Sequence, residues 1–298
     1  MAATLLILGA MASGAERVRH TVHVDGHPFA VWSKSAQGAT EAILLVHGRT
    51  WSAIPDFDLQ VDGEQLSLMD GLVGKGYAVY AVDLRGYGQT PRDQTGWLTP
   101  NRAAADVAGI VEWISAAADY KTKPHLFGWS MGSTISMLMA QHRQELISSL
   151  TLFGFWRDLD VTIPADDPAI EIQRLENTAE AAASDFITPG SISQKAIDTY
   201  VAVSLAADPV KTDLRNYDHY NALDPSKLEL PTLVIYGEYD PIAPAEFQAR
   251  LYSRIGSGHK QLVSVPGGDH AAFLESPRNY FIEELVTFLK GASHYRVD

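Results

Sequence analysis

A serine between two glycines stands where a strand would turn into a helix. Gly128-Trp129-Ser130-Met131-Gly132 follows an apolar run and precedes a helical stretch. Such a turn holds the serine hydroxyl exposed in a strained conformation, and side chains in place of the glycines would clash as strand and helix close. A helix N-terminus behind Ser130 also favours developing negative charge. The motif predicts Ser130 as a nucleophile for acyl transfer, the alternative being a chance match to a short pattern.

A base and an acid for this serine are found later in the chain. A serine hydroxyl is a weak nucleophile, so it needs a base that a third group orients. Asp240 and His270 each follow an apolar run typical of a strand. Because neighbouring parallel strands end at one edge of a sheet, we expect Asp240 to orient His270 and His270 to take the proton from Ser130. Three other carboxylates are rival candidates for the acid: Asp158, Glu238 and Asp269.

The same chemistry needs donors for the negative oxygen of a tetrahedral intermediate, and losing one donor costs about 3 kcal/mol. We expect these donors to be the backbone N–H groups of Met131, directly after the serine, and of Arg49, after an early apolar run. Three tryptophans near predicted strand ends are candidates to line the substrate pocket: Trp51, Trp129 and Trp156. For Trp51 and Trp156, plain packing is an equally good interpretation.

The elements that would position these residues alternate along the chain. Short apolar runs separated by helical stretches predict an α/β fold with a mostly parallel central sheet flanked by helices. The helical stretches are residues 65–74, 102–118 and 280–289. The predicted strands are residues 42–46, 77–82, 125–128, 150–153, 232–236 and 261–265.

One region breaks this alternation. Residues 156–225 contain no strong strand but two Ala-rich helical pieces, at 171–183 and 193–206. We expect a core of residues 16–155 and 226–298, with residues 156–225 inserted as a helical lid over the strand ends.

Composition excludes several kinds of function. With 36 acidic and 23 basic side chains the formal net charge is −13, which argues against nucleic acid as a partner. The chain has no cysteine, so disulfides, cysteine-bound zinc and a thiol nucleophile are excluded. His20, His23 and His27 lack metal-site spacing with a carboxylate. We therefore expect no metal, and acyl transfer by an activated serine needs no cofactor.

The first residues bear on the cellular location of the protein. Thr4 to Met11 is apolar and is followed by small residues, so residues 1–15 are a possible signal peptide, although no Lys or Arg precedes the apolar stretch. A stretch of eight residues is too short to span a bilayer. We expect a secreted or periplasmic protein without a membrane span, with a cytoplasmic one as the alternative.

Five ordered motifs together resemble the α/β-hydrolase superfamily from Ile43 to Leu289. They are His47-Gly48, the Asp83–Gly88 segment DLRGYG, the Ser130 turn, GEYDP ending at Pro241, and GGDH ending at His270. The resemblance implies a catalytic triad, with His47 and the DLRGYG segment shaping or bracing the site. Serine at the turn resembles the esterase, lipase-like, carbon–carbon hydrolase and cofactor-free haloperoxidase branches. It departs from the epoxide hydrolases and haloalkane dehalogenases, which have aspartate there.

The predicted activity is therefore that of a carboxylesterase-like serine hydrolase. It would cleave a small-molecule carboxylic ester with a moderately apolar acyl part through an acyl-enzyme. Two alternatives remain open. The same triad could act as a carbon–carbon hydrolase, lactonase, aminopeptidase or perhydrolase, or the chain could be a ligand-binding homologue without turnover. The sequence does not determine the oligomeric state.

Overall fold

A single eight-stranded sheet forms the centre of the molecule in the computed structural model, which describes residues 15–294. The strand order is β1-β2-β4-β3-β5-β6-β7-β8. Strands β1 and β2 pair antiparallel with each other, β2 pairs antiparallel with β4, and all the other pairs are parallel. The strands are β1 (Val18–Val24), β2 (His27–Ser35), β3 (Ala42–Val46), β4 (Ala78–Val82), β5 (His125–Trp129), β6 (Ser149–Phe153), β7 (Thr232–Gly237) and β8 (Lys260–Val265).

The five strands from β3 to β7 are apolar because helices cover both faces of the sheet. Every residue of β3, β4, β5 and β6 is buried, whereas β8 at the edge is mostly half-buried or exposed. The six predicted strands are all present within one residue of their expected ends. The predicted α/β class with a mostly parallel sheet is confirmed.

Helices pack on both faces of this sheet. One apolar core includes residues of α3, α4 and α7, and a second on the other face includes residues of α1, α2 and α8. The helices are α1 (Ala53–Phe57), α2 (Leu68–Val73), α3 (Pro100–Ala117), α4 (Met131–Arg143), α5 (Ala179–Ala183), α6 (Gln194–Ala207), α7 (Ala245–Arg254) and α8 (Arg278–His294).

The chain between β6 and β7, residues 154–231, is here called the insertion. It holds α5 and α6, but the helix expected from residue 171 begins only at Ala179. The preceding residues are extended instead, because Glu176 forms an antiparallel bridge with Val210 and the Lys211 N–H donates to the Leu175 carbonyl at 2.8 Å. The expected boundaries of the core and of a lid at residues 156–225 stay a prediction.

The N-terminal apolar segment Thr4 to Met11 lies outside the described residues. Between residues 15 and 294, no helix has both the length and the apolar character needed to cross a membrane. The possible signal peptide stays a prediction.

Candidate active site

Ser130 lies at the turn between β5 and α4, with φ 53° and ψ −118°. Positive φ is uncommon and strained for a residue with a side chain, and such strain concentrates at functional sites. A Cβ atom at Gly128 would overlap the backbone of Gly132, and one at Gly132 would overlap the carbonyl oxygen of Val46. The two glycines are therefore what allows the turn to close against β3.

Ser130, His270 and Asp240 form one chain of hydrogen-bonding contacts. The Nε2 atom of His270 lies 2.9 Å from Ser130 Oγ, and its Nδ1 atom lies 2.7 Å from Asp240 Oδ2. The other oxygen of Asp240 accepts from the backbone N–H groups of Ile242 and Ala243, at 2.9 and 3.0 Å. These two bonds fix the carboxylate so that one oxygen faces the imidazole. These distances are the ones that a nucleophile, a base and an orienting acid would require.

The imidazole of His270 is held from two further sides, and its side chain is only 9% exposed. The indole N–H of Trp129 donates to the His270 carbonyl at 2.7 Å, and the two rings lie 5.6 Å apart. On the other side Gly154 has φ +60°, and a Cβ there would lie 3.0 Å from the imidazole. A small residue at position 154 therefore leaves room for the base.

The three rival acids have other partners. Glu238 accepts from the Gly267 N–H at 2.9 Å, and Asp158 pairs with Arg250 at 3.2 Å. Asp269 accepts from the N–H groups of Thr188 and Ala271, at 2.6 and 3.1 Å. In the part of the chain that the structure describes, only Asp240 has a carboxylate hydrogen-bonded to the imidazole of His270.

The loop after β3 carries Arg49, one of the two expected oxyanion donors, and is tied down by a buried histidine. The Leu84 N–H donates to His47 Nε2 at 3.0 Å, so His47 Nδ1 carries the proton and donates to the Gly48 carbonyl at 2.8 Å. Burial lowers the pKa of His47 to about 4, which keeps the ring neutral. The Tyr87 hydroxyl donates to the Arg49 carbonyl. His47 and, from the DLRGYG segment, Tyr87 thus hold this loop in place.

Met131, the other expected donor, is the first residue of α4, where N–H groups have no acceptor within the helix. Arg49 and Met131 both line the same cavity as Ser130. A Cβ at Gly48 would lie 3.5 Å from that of Ser130, so the backbone of this loop passes close to the nucleophile. Both residues therefore lie in the cavity wall beside Ser130, where a backbone N–H can bind the oxygen of a carbonyl that the serine attacks.

A cavity of about 710 Å³ opens above Ser130 and His270. All three predicted tryptophans line it: Trp51 and Trp129 are buried, and Trp156 is half-buried. Other lining residues come from the insertion, namely Ile163, Pro164, Ala165, Asp166, Asp185 and Tyr217. The core therefore supplies Ser130 and His270, and the insertion supplies much of the rest of the wall.

The family model Hydrolase_4, described as serine aminopeptidase, S33, matches residues 38–277. The chain belongs to this family of α/β-hydrolases. Curated relatives include the pimeloyl-[acyl-carrier protein] methyl ester esterase of Aeromonas salmonicida (strain A449), 23% identical over 72% of this chain and 85% of that protein. The enzyme of the same description from Neisseria meningitidis serogroup B (strain MC58) is 25% identical over 81% of this chain and 90% of that protein.

Solved structures of other α/β-hydrolases share the fold of this chain. A serine hydrolase involved in carbazole degradation superposes with a TM-score of 0.66 at 18% identity, covering 92% of this chain and 99% of that one. A thermophilic esterase from Thermogutta terrifontis does so with a TM-score of 0.61 at 20% identity, covering 93% and 99%. At these identities the likeness shows the fold alone.

Two carboxyl groups in the cavity of this α/β-hydrolase were not predicted from the sequence. Asp56 of α1 and Asp185, just after α5, both line the cavity, and the Tyr200 hydroxyl of α6 lies 3.0 Å from Asp56 and 2.9 Å from Asp185. Burial raises the pKa of Asp56 well above its ordinary range and that of Asp185 to about 6. No motif could have found these residues, because they come from separate parts of the chain.

The described residues contain no group of three or more His, Asp or Glu side chains placed to hold a metal ion. Of the three N-terminal histidines, His20 contacts the Ser33 hydroxyl at 2.8 Å and His27 contacts the Pro91 carbonyl at 3.0 Å. The first contact links β1 to β2, and the second links β2 to the loop at Pro91. The two imidazole rings therefore have a structural role.

Proposed function

We propose that this α/β-hydrolase cleaves a carboxylic ester through a Ser130–His270–Asp240 triad. Ser130 Oγ attacks the carbonyl carbon while His270 Nε2 takes the hydroxyl proton, and Asp240 stabilises the imidazolium that forms. The tetrahedral oxyanion is bound by the N–H groups of Arg49 and Met131. His270 then returns the proton to the leaving alcohol. Water attacks the resulting acyl-enzyme, with His270 again acting as the base.

The observation that carries the proposal is the continuous contact from Ser130 through His270 to Asp240, with both distances under 3 Å, at the floor of the cavity. A serine that is merely structural has no need of a strained backbone, a base within hydrogen-bond distance and an acid behind that base. Nucleophilic catalysis needs all three.

A carboxylic ester with a moderately apolar acyl part is the substrate class we favour. The cavity walls include the rings of Trp51, Trp129 and Trp156, which suit an alkyl or aryl group. The curated relatives described as methyl ester esterases support an ester with a small alcohol part. We further propose that residues 156–225 cover the cavity as a lid and that residues 1–15 direct export.

The test is labelling with a fluorophosphonate probe, which reacts with activated serines. The wild type is expected to be labelled and the Ser130→Ala variant is not, while Ser253→Ala, which removes an exposed serine of α7, keeps full labelling. An aryl-ester series of increasing acyl length, with methyl esters beside it, then measures the size of the acyl pocket.

Other results would redirect the proposal. Labelling of Ser130 without turnover of any ester would favour the same triad acting on another bond, as in a carbon–carbon hydrolase, a lactonase or a perhydrolase. A folded wild type that neither labels nor hydrolyses an ester would contradict the mechanism and favour a ligand-binding homologue.

A second candidate is cleavage of an aminoacyl amide, which the family description as a serine aminopeptidase supports. The same triad serves both bonds, and the cavity holds carboxyl groups that could face an amine. Aminoacyl arylamides belong in the same assay. Faster turnover of these amides than of any ester would make the aminopeptidase the better description.

A further inference from the structure

The Tyr200 hydroxyl contacts two carboxyl groups although it has only one proton to donate. Its hydroxyl oxygen lies 3.0 Å from Asp56 Oδ1 and 2.9 Å from Asp185 Oδ2. A phenol has one hydrogen to donate, so it can bond only one carboxylate as a donor. The second contact is a hydrogen bond only if that carboxyl group is itself protonated and donates to the phenol oxygen. Tyr200, Asp56 and Asp185 together therefore hold one proton more than they would with both carboxyl groups ionised.

The proton belongs on Asp56. Its side chain is fully buried, and burial raises its pKa well above the ordinary range, with the negative charge of Asp185 acting in the same direction. Asp185 is only half-buried, and burial raises its pKa to about 6. Near neutral pH, Asp56 donates to Tyr200, Tyr200 donates to Asp185, and the negative charge resides on Asp185 at the cavity wall.

A second polar group beside Asp185 lacks a well-formed hydrogen bond. The indole N–H of Trp51 is buried and makes no hydrogen bond of ordinary length and angle with any residue between 15 and 294. Its one partner is a weak interaction with Asp185, in which the indole acts as a donor and lowers the pKa of that carboxyl group, and Trp51 lines the same cavity. A buried N–H without a well-formed hydrogen bond is costly, so this donor favours a ligand with a better-placed acceptor atom.

A hydroxyl group would satisfy both residues, because it donates to a carboxylate and accepts from an N–H. An alkyl group would satisfy neither, and an ammonium group would match the charge of Asp185 but offer no acceptor to Trp51. We propose that Asp185 and Trp51 form a subsite for a hydroxyl group on the substrate, within the cavity that holds Ser130. This inference rests on the proposed ester hydrolysis.

The position of the subsite relative to the triad supports the inference. The charge of His270 acts on Asp185, and both residues line the cavity. A substrate acylating Ser130 would therefore extend to Asp185 with its own chain. The hydroxyl would lie on the ester itself and not on a separate effector.

The test compares matched methyl esters: ω-hydroxyalkanoates of increasing length, alkanoates with a methyl group in place of the hydroxyl, and ω-aminoalkanoates. At the best length we expect kcat/KM for the hydroxy ester to exceed that for its methyl analogue by about 10- to 100-fold, the range of one hydrogen bond to a charged acceptor. Asp185→Leu should bring this ratio close to one. Asp185→Asn, which keeps an acceptor, should restore part of it, and Trp51→Phe should lower it.

Glu180→Gln is the matched control, since it removes an exposed carboxylate from α5 in the same insertion and should leave the ratio unchanged. A wild-type ratio near one, a ratio that survives Asp185→Leu, or a preference for the amino ester over the hydroxy ester would each overturn the subsite. In those cases the alkanoates are still hydrolysed. Failure to hydrolyse any ester would instead overturn the proposed function on which the subsite rests.

Discussion

The core side of the cavity and the insertion side differ in how their residues are fixed. Ser130 and Asp240 stand just beyond buried parallel strands and His270 follows the edge strand β8, and each side chain has contacts that leave it little freedom. Residues 161–176 of the insertion are all exposed or half-buried and form no helix or strand. Under the proposed function, this difference predicts that the core sets the chemistry and the insertion sets which substrate reaches it.

The largest expected effect comes from the acid on the core side. Asp240→Asn keeps the shape of the side chain but can present an amide N–H to His270, which favours the wrong tautomer of the base. We expect kcat for an ester to fall by about four orders of magnitude, with little change in KM or in thermal stability. Steady-state kinetics measure kcat and KM, and a melting curve measures the thermal stability.

The matched control for this change is Glu238→Gln, which alters an exposed acid two residues away. Its carboxylate contacts the Gly267 N–H and not the imidazole, so kcat should be retained. Equal losses in the two variants would show that Asp240 is not the orienting acid.

The next largest effect should be a loss of stability in the core that leaves catalysis unchanged. Arg85 makes two bonds to Asp106, at 2.6 and 2.7 Å, and both side chains are buried. Arg85→Met leaves the Asp106 carboxyl group without its main partner, so the free energy of unfolding should fall by about 3–5 kcal/mol. Chemical denaturation measures this loss. The kcat of the folded fraction should stay near that of the wild type, because Arg85 does not contact the triad.

Arg102→Met is the comparison for that experiment. Arg102 lies 4.0 Å from the same Asp106, but its side chain is 46% exposed. Solvent weakens such a pair, so we expect a loss of under about 1 kcal/mol. Similar losses in the two variants would mean that the buried pair has no special role.

The core was predictable from the sequence because its signals are local. Buried parallel strands appear as continuous apolar runs, and the residues that follow them meet at one edge of the sheet. That reasoning brought Asp240 and His270 together with Ser130. The hairpin of β1 and β2 was missed, although Asp25-Gly26 with φ 49° and 76° is a typical turn between alternating strands.

The insertion was less predictable because its structure depends on distant partners. An Ala-rich composition indicated a helix from residue 171, but pairing of Glu176 with Val210 keeps that stretch extended. Asp56 and Asp185 look like ordinary surface acids in the sequence. Only the folded chain brings them to one phenol, Tyr200, and no periodicity or motif records that contact.

A pH experiment tests whether ionisation of Asp185, on the insertion side, destabilises the folded chain. Burial raises the pKa of Asp185 from 3.8 to about 6, so its ionisation is harder in the folded state than in the unfolded state. The contribution of this carboxyl group to stability is present below about pH 4 and is lost as the pH rises through about 6.

Asp185→Asn removes that titration. The free energy of unfolding of the variant relative to the wild type should therefore rise by up to about 3 kcal/mol between about pH 4 and about pH 7.5. Asp198→Asn, at an exposed position of α6, should show no such change. A pH-independent difference for Asp185→Asn would mean that the carboxyl group ionises as easily in the folded chain as in the unfolded chain.

The smallest effect should appear at a wall residue of the insertion and be visible only in substrate choice. Trp156 lines the cavity and packs edge-on against Tyr217 and Tyr220, with ring centroids 6.2 and 5.8 Å apart. Trp156→Ala should enlarge the acyl pocket and lower kcat/KM for short acyl esters by about tenfold, while long acyl esters lose less. Trp113→Ala removes a half-buried indole that packs against His20 and Tyr80, outside the cavity. It should reduce stability without moving the preferred acyl length. If Trp156→Ala leaves the acyl-length profile of the wild type intact, the insertion does not select the substrate, and the division of roles between core and insertion is wrong.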